Sequence, residues 1–125
     1  MTEIMIVDNN PHARHALKAL LSQQADIQVT AEASNGLEAV KLIQQQPPDL
    51  IIMDVRMPIM DGLEATKLVK RDWSQIKIII LTMYPDSQTE ALLAGADAFL
   101  VKGCALEEMI SAIQALKTEG QNKQT

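Results

Sequence analysis

Aromatic side chains are nearly absent from this 125-residue chain, which holds one Trp, one Tyr and one Phe. Trp73 and Tyr84 stand isolated, so nothing offers the flanking rings a flavin needs. Cysteine occurs once, at Cys104, which excludes a disulfide framework and suits a reducing cytoplasm. No apolar run approaches a membrane span, and the acidic start MTEIMIVD lacks both the positive charge and the apolar core of a secretory signal. There is no Gly-rich phosphate loop of either nucleotide-binding type. The net charge is −5, and basic residues are dispersed apart from a modest Lys67, Lys70, Arg71 cluster that reads as a solvated helix face. That balance argues against a nucleic-acid-binding surface. What is plentiful is apolar, at 47%, which excludes disorder, and the length suits one domain.

The chain is organised around Asp49 to Asp61, DLIIMDVRMPIMD. Leu50-Ile51-Ile52-Met53 is a short apolar run of the kind a parallel strand buried on both faces shows. It ends on Asp54, and Pro58 and Asp61-Gly62 force a turn soon after. Before it, Ile4 to Val7 forms a strand ending at Asp8-Asn9. Asn10 caps and Pro11 starts a helix in which Ala13, Ala16, Leu17, Leu20 and Leu21 follow helical spacing to about Gln24. Ile27 to Ala33 is a second strand, closed by Ser34-Asn35-Gly36, and the helix with Leu37, Val40, Leu42 and Ile43 stops at Pro47-Pro48. Beyond Asp54, Gly62 to about Trp73 is helical, with Leu63, Leu68 and Val69 available to pack, and Ile76 to Leu81 is a buried strand ending on Thr82. A helix from about Ser87 to Ala94 closes at Gly95. Ala98 to Val101 leads to Lys102, and Leu106, Met109, Ile110, Ile113 and Leu116 stripe a last helix. Thr118 to Thr125 is polar and without periodicity, and reads as frayed. The pattern predicts an α/β fold: (βα)5, a doubly wound parallel five-stranded sheet of flavodoxin-like order 2-1-3-4-5.

In such a sheet the strand ends lie along one edge, where ligands gather. Asp8-Asn9, Asp54, Thr82 and Lys102 therefore converge. Singly they have bland readings: caps, a β-former, a surface charge. Together they make a site centred on Asp54. Oxygen donors without His or Cys suit a hard cation such as Mg²⁺. A lysine and a hydroxyl beside them can hold phosphoryl oxygens, and a central carboxylate can become an aspartyl phosphate. Without a nucleotide loop, the donor is something other than ATP bound here. His12 and His15, three apart on the first helix, read as exposed polar positions, and Cys104 as a bystander.

Four stretches, IMIVDNN, LIIMDVRMPIMDG, IIILTMY and GADAFLVKG, resemble the response-regulator receiver domain of two-component signalling, in order and at the expected spacing. NPHARHALKALL, DGLEATKLV and the non-proline residue after Lys102 resemble the NarL/FixJ type, which usually precedes a LuxR-type DNA-binding helix-turn-helix. The resemblance implies that residues 1–117 are the receiver and that 118–125 start a linker to an output domain absent from this chain. It implies Asp54 as phosphoacceptor, supplied by a histidine kinase, a phosphotransfer protein or a small phosphodonor. It implies Asp8, Asn9, Asp54 and the backbone carbonyl of Arg56 around Mg²⁺, and Lys102 on the phosphoryl group. Thr82 and Phe99 become the switch pair. The chain is then no enzyme beyond its own phosphorylation and dephosphorylation, is cytoplasmic, and touches no membrane. It pairs with a second copy when phosphorylated and reaches DNA only through the output domain.

The sequence departs from the family at Asn9, where most receivers carry a second acid. Met83, after Thr82, is bulkier than usual, and Arg56 and Tyr84 flank the site. After Lys102 stands Gly103 in place of a frequent cis-proline, which predicts a trans bond. Two other classes stay open. Asn9 suggests a phosphorylation-independent receiver-like interaction or dimerisation module. A small flavodoxin-like enzyme or redox carrier would share the topology.

Overall fold

The computed structural model describes residues 1–122, with side chains to Lys117. Five parallel strands, β1 (Thr2–Val7), β2 (Ile27–Ala33), β3 (Leu50–Met53), β4 (Lys77–Thr82) and β5 (Ala98–Val101), form one sheet in the order β2-β1-β3-β4-β5. Between and after them run α1 (Pro11–Ser22), α2 (Gly36–Gln45), α3 (Gly62–Asp72), α4 (Gln88–Leu93) and α5 (Leu106–Asn122). This is the doubly wound order that the alternating pattern predicts.

Strand alternation divides the core in two. Met5, Val7, Ile51, Met53, Ile78 and Ile80 face α2, α3 and α4. Ile4, Ile6, Leu50, Ile52, Ile79 and Leu81 face α1 and α5, meeting Leu21, Met109, Ile113 and Leu116. Each inner strand is thus apolar on both faces, the reason its sequence is a run and not an alternation.

The helices that follow β1, β2 and β3 are each started by a side-chain cap. The Asn10 Oδ1 accepts from His12 N at 2.9 Å and Ala13 N at 3.3 Å, with Pro11 in the first turn. Asn35 Oδ1 accepts from Glu38 N at 2.9 Å, and Asp61 Oδ1 from Glu64 N at 2.9 Å. The caps at Asn10 and Asn35 lie within three residues of the ends of β1 and β2 and fix where the chain leaves the sheet there.

The helix read from about Ser87 to Ala94 is α4, entered through a 3₁₀ turn at Pro85–Ser87. Pro85 fixes its own φ and starts the tighter turn. Three readings of the sequence are corrected. In α1, Ala16 and Leu20 are exposed; the inward face is Leu17 and Leu21. The last helix runs through Asn122 rather than fraying from Thr118, and residues 123–125 lie outside the described residues. Lys70 is no solvated charge. Its Nζ donates to Asp97 Oδ2 at 2.9 Å, Ile76 O at 2.9 Å and Ser74 O at 3.2 Å, tying the end of α3 to the chain entering β4 and β5.

One buried polar group stands out on α3. The Thr66 side chain is fully buried, and its hydroxyl has no hydrogen-bond partner. Thr66→Val keeps the shape, and the two residues have similar helix propensity. Removing an unsatisfied hydroxyl should therefore raise stability by about 1 kcal/mol in urea unfolding. A variant no more stable than the parent would show that the hydroxyl is satisfied in solution.

Candidate functional site

The backbone ladder delivers the strand-end residues to one place. Asp8 N donates to Ala33 O at 3.0 Å, Asp54 N to Val7 O at 3.0 Å, and Lys102 N to Thr82 O at 2.8 Å, so each extends the sheet one residue past its strand. Asp8 and Asp54 are buried acids, 7% and 9% exposed. Burial of charge needs partners, and they are present. Asp54 Oδ1 accepts from Val55 N at 2.7 Å, and Asp8 Oδ1 from Asn10 N at 2.9 Å. The remaining oxygens share one ammonium: Lys102 Nζ is 2.7 Å from Asp8 Oδ2 and 3.0 Å from Asp54 Oδ2.

Burial alone would push the Lys102 ammonium down. The hydrogen bonds and charges of Asp8 and Asp54 overcome it, and the net shift is upward. Lys102 is therefore cationic throughout the neutral range. The Lys102–Gly103 junction has the expected form: among the described residues no peptide bond is cis, and Gly103 has a φ of 97°. That left-handed conformation favours glycine.

Thr82 is fully buried at the end of β4. Its Oγ1 accepts from Tyr84 N at 3.4 Å. Ile80 pairs with Phe99 and Thr82 with Val101, so Phe99 is the diagonal neighbour of Thr82 on one face of the sheet. Phe99 is half-buried against the core under α2, α3 and α4. Asn9 is exposed and lines an open cleft of about 580 Å³ with Arg56, Pro58, Asp61, Asp86 and Glu90. Over this mouth the Arg56 guanidinium lies 3.5 Å from the centroid of the Tyr84 ring, joining the loop after β3 to the loop after β4.

The oxygens at this edge are hard donors: the Asp8 and Asp54 carboxylates meet at Lys102, and Asn9 and Arg56 line the cleft beside them. Asp8 and Asp54 already converge on a single cation, the Lys102 ammonium, so their geometry fits a shared divalent ion that keeps several waters. Among the described residues no group of three or more His, Cys, Asp or Glu side chains could hold a metal. His12 is exposed on α1, and His15 lies 4.0 Å from Glu32 with its side chain 69% exposed. Cys104 is half-buried, and burial first, then Glu108, pushes its thiol pKa up. An upward shift keeps the thiol protonated and unreactive.

Sequence reasoning missed two features. Arg14 Nη1 donates to the backbone carbonyl of Asp8 at 2.6 Å, and nothing in the local pattern of α1 marks it. Gly62 lies against the Asp54 carbonyl so closely that a Cβ would come within 1.9 Å of that oxygen. The Asp-Gly pair announces a turn but not this contact.

A five-stranded parallel α/β domain with paired acids, a buried hydroxyl and an ammonium at the carboxyl edge of its sheet defines a class, the flavodoxin-like receiver fold. The chain belongs to the response regulator receiver domain family, whose model matches residues 4–114. It is a receiver of two-component signalling, of NarL/FixJ type. LiaR, a transcriptional regulatory protein of Bacillus subtilis, is 40% identical over 117 residues, covering 92% of this chain and 56% of that protein. VraR of Staphylococcus aureus, a response regulator protein, is 35% identical over 114 residues, covering 90% and 54%. Among solved structures, a LuxR-family DNA-binding response regulator from Staphylococcus aureus superposes with a TM-score of 0.86 at 30% identity, covering 93% of this chain and 98% of that one. A LuxR-family two-component response regulator from Aurantimonas sp. SI85-9A1 gives 0.88 at 30% identity, covering 93% and 84%. The chain spans about half the length of the curated relatives it matches. No helix among the described residues is long and apolar enough to cross a membrane.

Proposed function

We propose that Asp54 accepts a phosphoryl group from the phosphohistidine of a histidine kinase or phosphotransfer protein, and that the resulting aspartyl phosphate controls a transcriptional output. The observation that carries this reading is the Lys102 ammonium bridging Asp8 and Asp54 at the carboxyl edge of the sheet. An Asp54 carboxylate oxygen forms the new P–O bond as the P–N bond breaks, and the electron pair of that bond leaves with the imidazole nitrogen. Lys102 turns to the phosphoryl oxygens, offsetting charge that grows during transfer. Asp8, Asn9, Asp54 and the Arg56 carbonyl hold Mg²⁺, which when bound supplies further charge neutralisation. Thr82 then donates its hydroxyl to the phosphoryl group, and Phe99, its diagonal neighbour, takes up the space released. The switch is a shift between two packings of the β4–β5 region.

The only covalent chemistry in this reading is the gain and loss of that phosphoryl group. The protein acts in the cytoplasm, in keeping with its lone thiol, and contacts DNA through an output domain, as the LuxR-family relatives suggest. Mass spectrometry after acetyl phosphate treatment tests it. One added phosphoryl group is expected with Mg²⁺ and none after chelation, and no uptake under either condition would overturn the reading.

Asn9 favours a second reading, an interaction module independent of phosphorylation, because only two carboxylates face the cation. Phosphoryl uptake from acetyl phosphate separates the two, and Asn9→Asp tests the cation site. An amide oxygen is neutral, so replacing it with a charged ligand should tighten Mg²⁺ by about tenfold, on the order of 1.4 kcal/mol, in calorimetry. Phosphorylation at low Mg²⁺ should speed up as well. Equal affinities would show that Asn9 is no ligand.

Self-association on phosphorylation belongs to the main reading. Leu92 and Leu93 on α4 and Val101 on the edge strand β5 are apolar and 49%, 82% and 37% exposed, which supports a protein partner over an acidic chain's contact with DNA. Light scattering should show the mass double when phosphorylation is complete. An unchanged mass at tens of micromolar would count against it.

A further inference from the structure

The loop that carries Asp8 and Asn9 is clamped from a direction the strand-end pattern does not reveal. Asp8 has each of its polar groups occupied. Its N–H donates to Ala33 O, its carboxylate meets Asn10 N and Lys102 Nζ, and its carbonyl accepts from Arg14 Nη1 at 2.6 Å. The Arg14 side chain is 17% exposed and is itself held. Its Nε lies 3.4 Å from Glu32 Oε1, a charge contact without hydrogen-bond alignment. Lys18 Nζ reaches the other oxygen of Glu32 at 3.5 Å, and His15 Nε2 stands 4.0 Å away.

Glu32 is on the right face only because β2 is irregular. Val29 pairs with Ile4, but Ala31 pairs with Met5, so the register shifts by one residue at Thr30. Val29 packs on the α1 side of the sheet and Ala31 on the opposite side. Residues two apart in a regular strand would share a face. The extra residue inverts the alternation and turns Glu32, paired with Ile6, toward α1. Bulge, carboxylate and guanidinium therefore form one chain of contacts that ends on the Asp8 carbonyl. Ala33, next to Glu32, holds the Asp8 N–H from the same strand.

We propose that Arg14, anchored by Glu32, is a positioning residue that sets the Asp8–Asn9 loop for the cation and phosphoryl site. This role rests on the reading of Asp54 as phosphoacceptor. Arg14 touches neither the phosphoryl group nor the cation. It fixes the peptide from which Asp8 and Asn9 project, as the hydrogen-bond partners of metal ligands fix those ligands elsewhere.

Charge and position predict opposite results here. Arg14 is a cation held against the peptide that bears two of the ligands, so its charge alone opposes Mg²⁺, and removing that charge would tighten binding. Loss of position weakens binding. Arg14→Met should weaken Mg²⁺ in calorimetry by about tenfold, the scale set by groups that orient metal ligands, while the phosphorylation rate at saturating Mg²⁺ recovers to within about threefold of the parent. Arg14→Lys retains one donor for the carbonyl and should recover most of the affinity. Glu32→Gln leaves the guanidinium in place and should weaken Mg²⁺ by a smaller factor that persists at high ionic strength, where the lost carboxylate charge is screened. It carries the test if Arg14→Met does not fold. Unchanged or tighter Mg²⁺ binding overturns the proposal, as does a loss that lysine fails to recover. A parent protein that binds Mg²⁺ but takes up no phosphoryl group would instead remove the phosphoacceptor reading, leaving the Mg²⁺ comparison to judge Arg14 alone.

Discussion

Asp54→Asn should keep its fold and lose phosphoryl uptake altogether. The amide has nearly the shape of the carboxylate, so the space around Met53 and Val55 is not disturbed. It is not a nucleophile at phosphorus, and no other described carboxylate contacts Lys102 except Asp8. Asp8 is committed by its hydrogen bonds to Asn10 N and Lys102 Nζ. Two contacts change in the variant. The carbonyl oxygen of the new side-chain amide can still accept from Val55 N, as Oδ1 of the acid does at 2.7 Å. Lys102 retains its shorter partner, Asp8 at 2.7 Å, so its charge remains paired. Removing one of two acids around one ammonium leaves no buried charge unpaired, so the costly case of a broken buried pair does not arise. Far-UV circular dichroism should therefore match the parent, while mass spectrometry after acetyl phosphate shows no phosphoryl adduct. A variant that takes up phosphate at the parent's rate would place the acceptor elsewhere.

Why Asp54 can be singled out in the sequence, and Arg14 cannot, follows from what each depends on. β3 is buried on both faces, so LIIM is written as an apolar run that stops at the first charged residue. The end of the strand and the start of the site are the same signal. IIILT likewise ends on the first polar residue, Thr82, and the partly exposed edge strand AFLV runs up to Lys102. Topology then does the rest, because parallel order places every such terminus on one edge. Arg14 depends instead on a register shift at Thr30 that turns Glu32 over, and nothing in IQVTAEA marks which residue is the extra one. Edge-strand β2 is partly exposed, so both faces accept polar side chains and hydrophobicity cannot fix the register. Leu20 shows the complementary failure. Helical spacing puts it on the apolar stripe of α1, yet it is 43% exposed because Leu17 and Leu21 already fill the contact with the sheet.

Gly62 is where a single methyl group should do the most harm. It opens α3, and its N–H donates to Val55 O at 2.7 Å, which folds the start of the helix back onto the residue after Asp54. A Cβ built there lies 1.9 Å from the Asp54 carbonyl oxygen, 2.9 Å from its carbon and 3.0 Å from Val55 Cα. All three are backbone atoms, so no side chain can rotate away, and the chain itself must move by about an ångström to restore ordinary contact. The loop has little slack to give. Ile59, within it, already holds a φ of 71°, a left-handed conformation that is strained for a β-branched residue. On the other side, Gly36 N donates to Met60 O at 2.9 Å, and a Cβ on Gly36 would sit 2.8 Å from that same oxygen, so α2 closes off retreat in that direction. Gly62→Ala should therefore cost about 3 kcal/mol in urea unfolding, the upper range for overpacking. Because the displaced atoms belong to Asp54, the phosphorylation rate should fall by about a hundredfold, the scale of a ~1 Å misplacement at a reacting group. Gly103→Ala separates space from strain. No atom lies within 4 Å of its Cβ position, but its φ of 97° penalises any side chain, so about 1 kcal/mol is expected with no direct push on Asp54. If Gly62→Ala unfolds no more easily than Gly103→Ala and phosphorylates at the parent's rate, the contact between α3 and Asp54 is looser than the 1.9 Å approach requires.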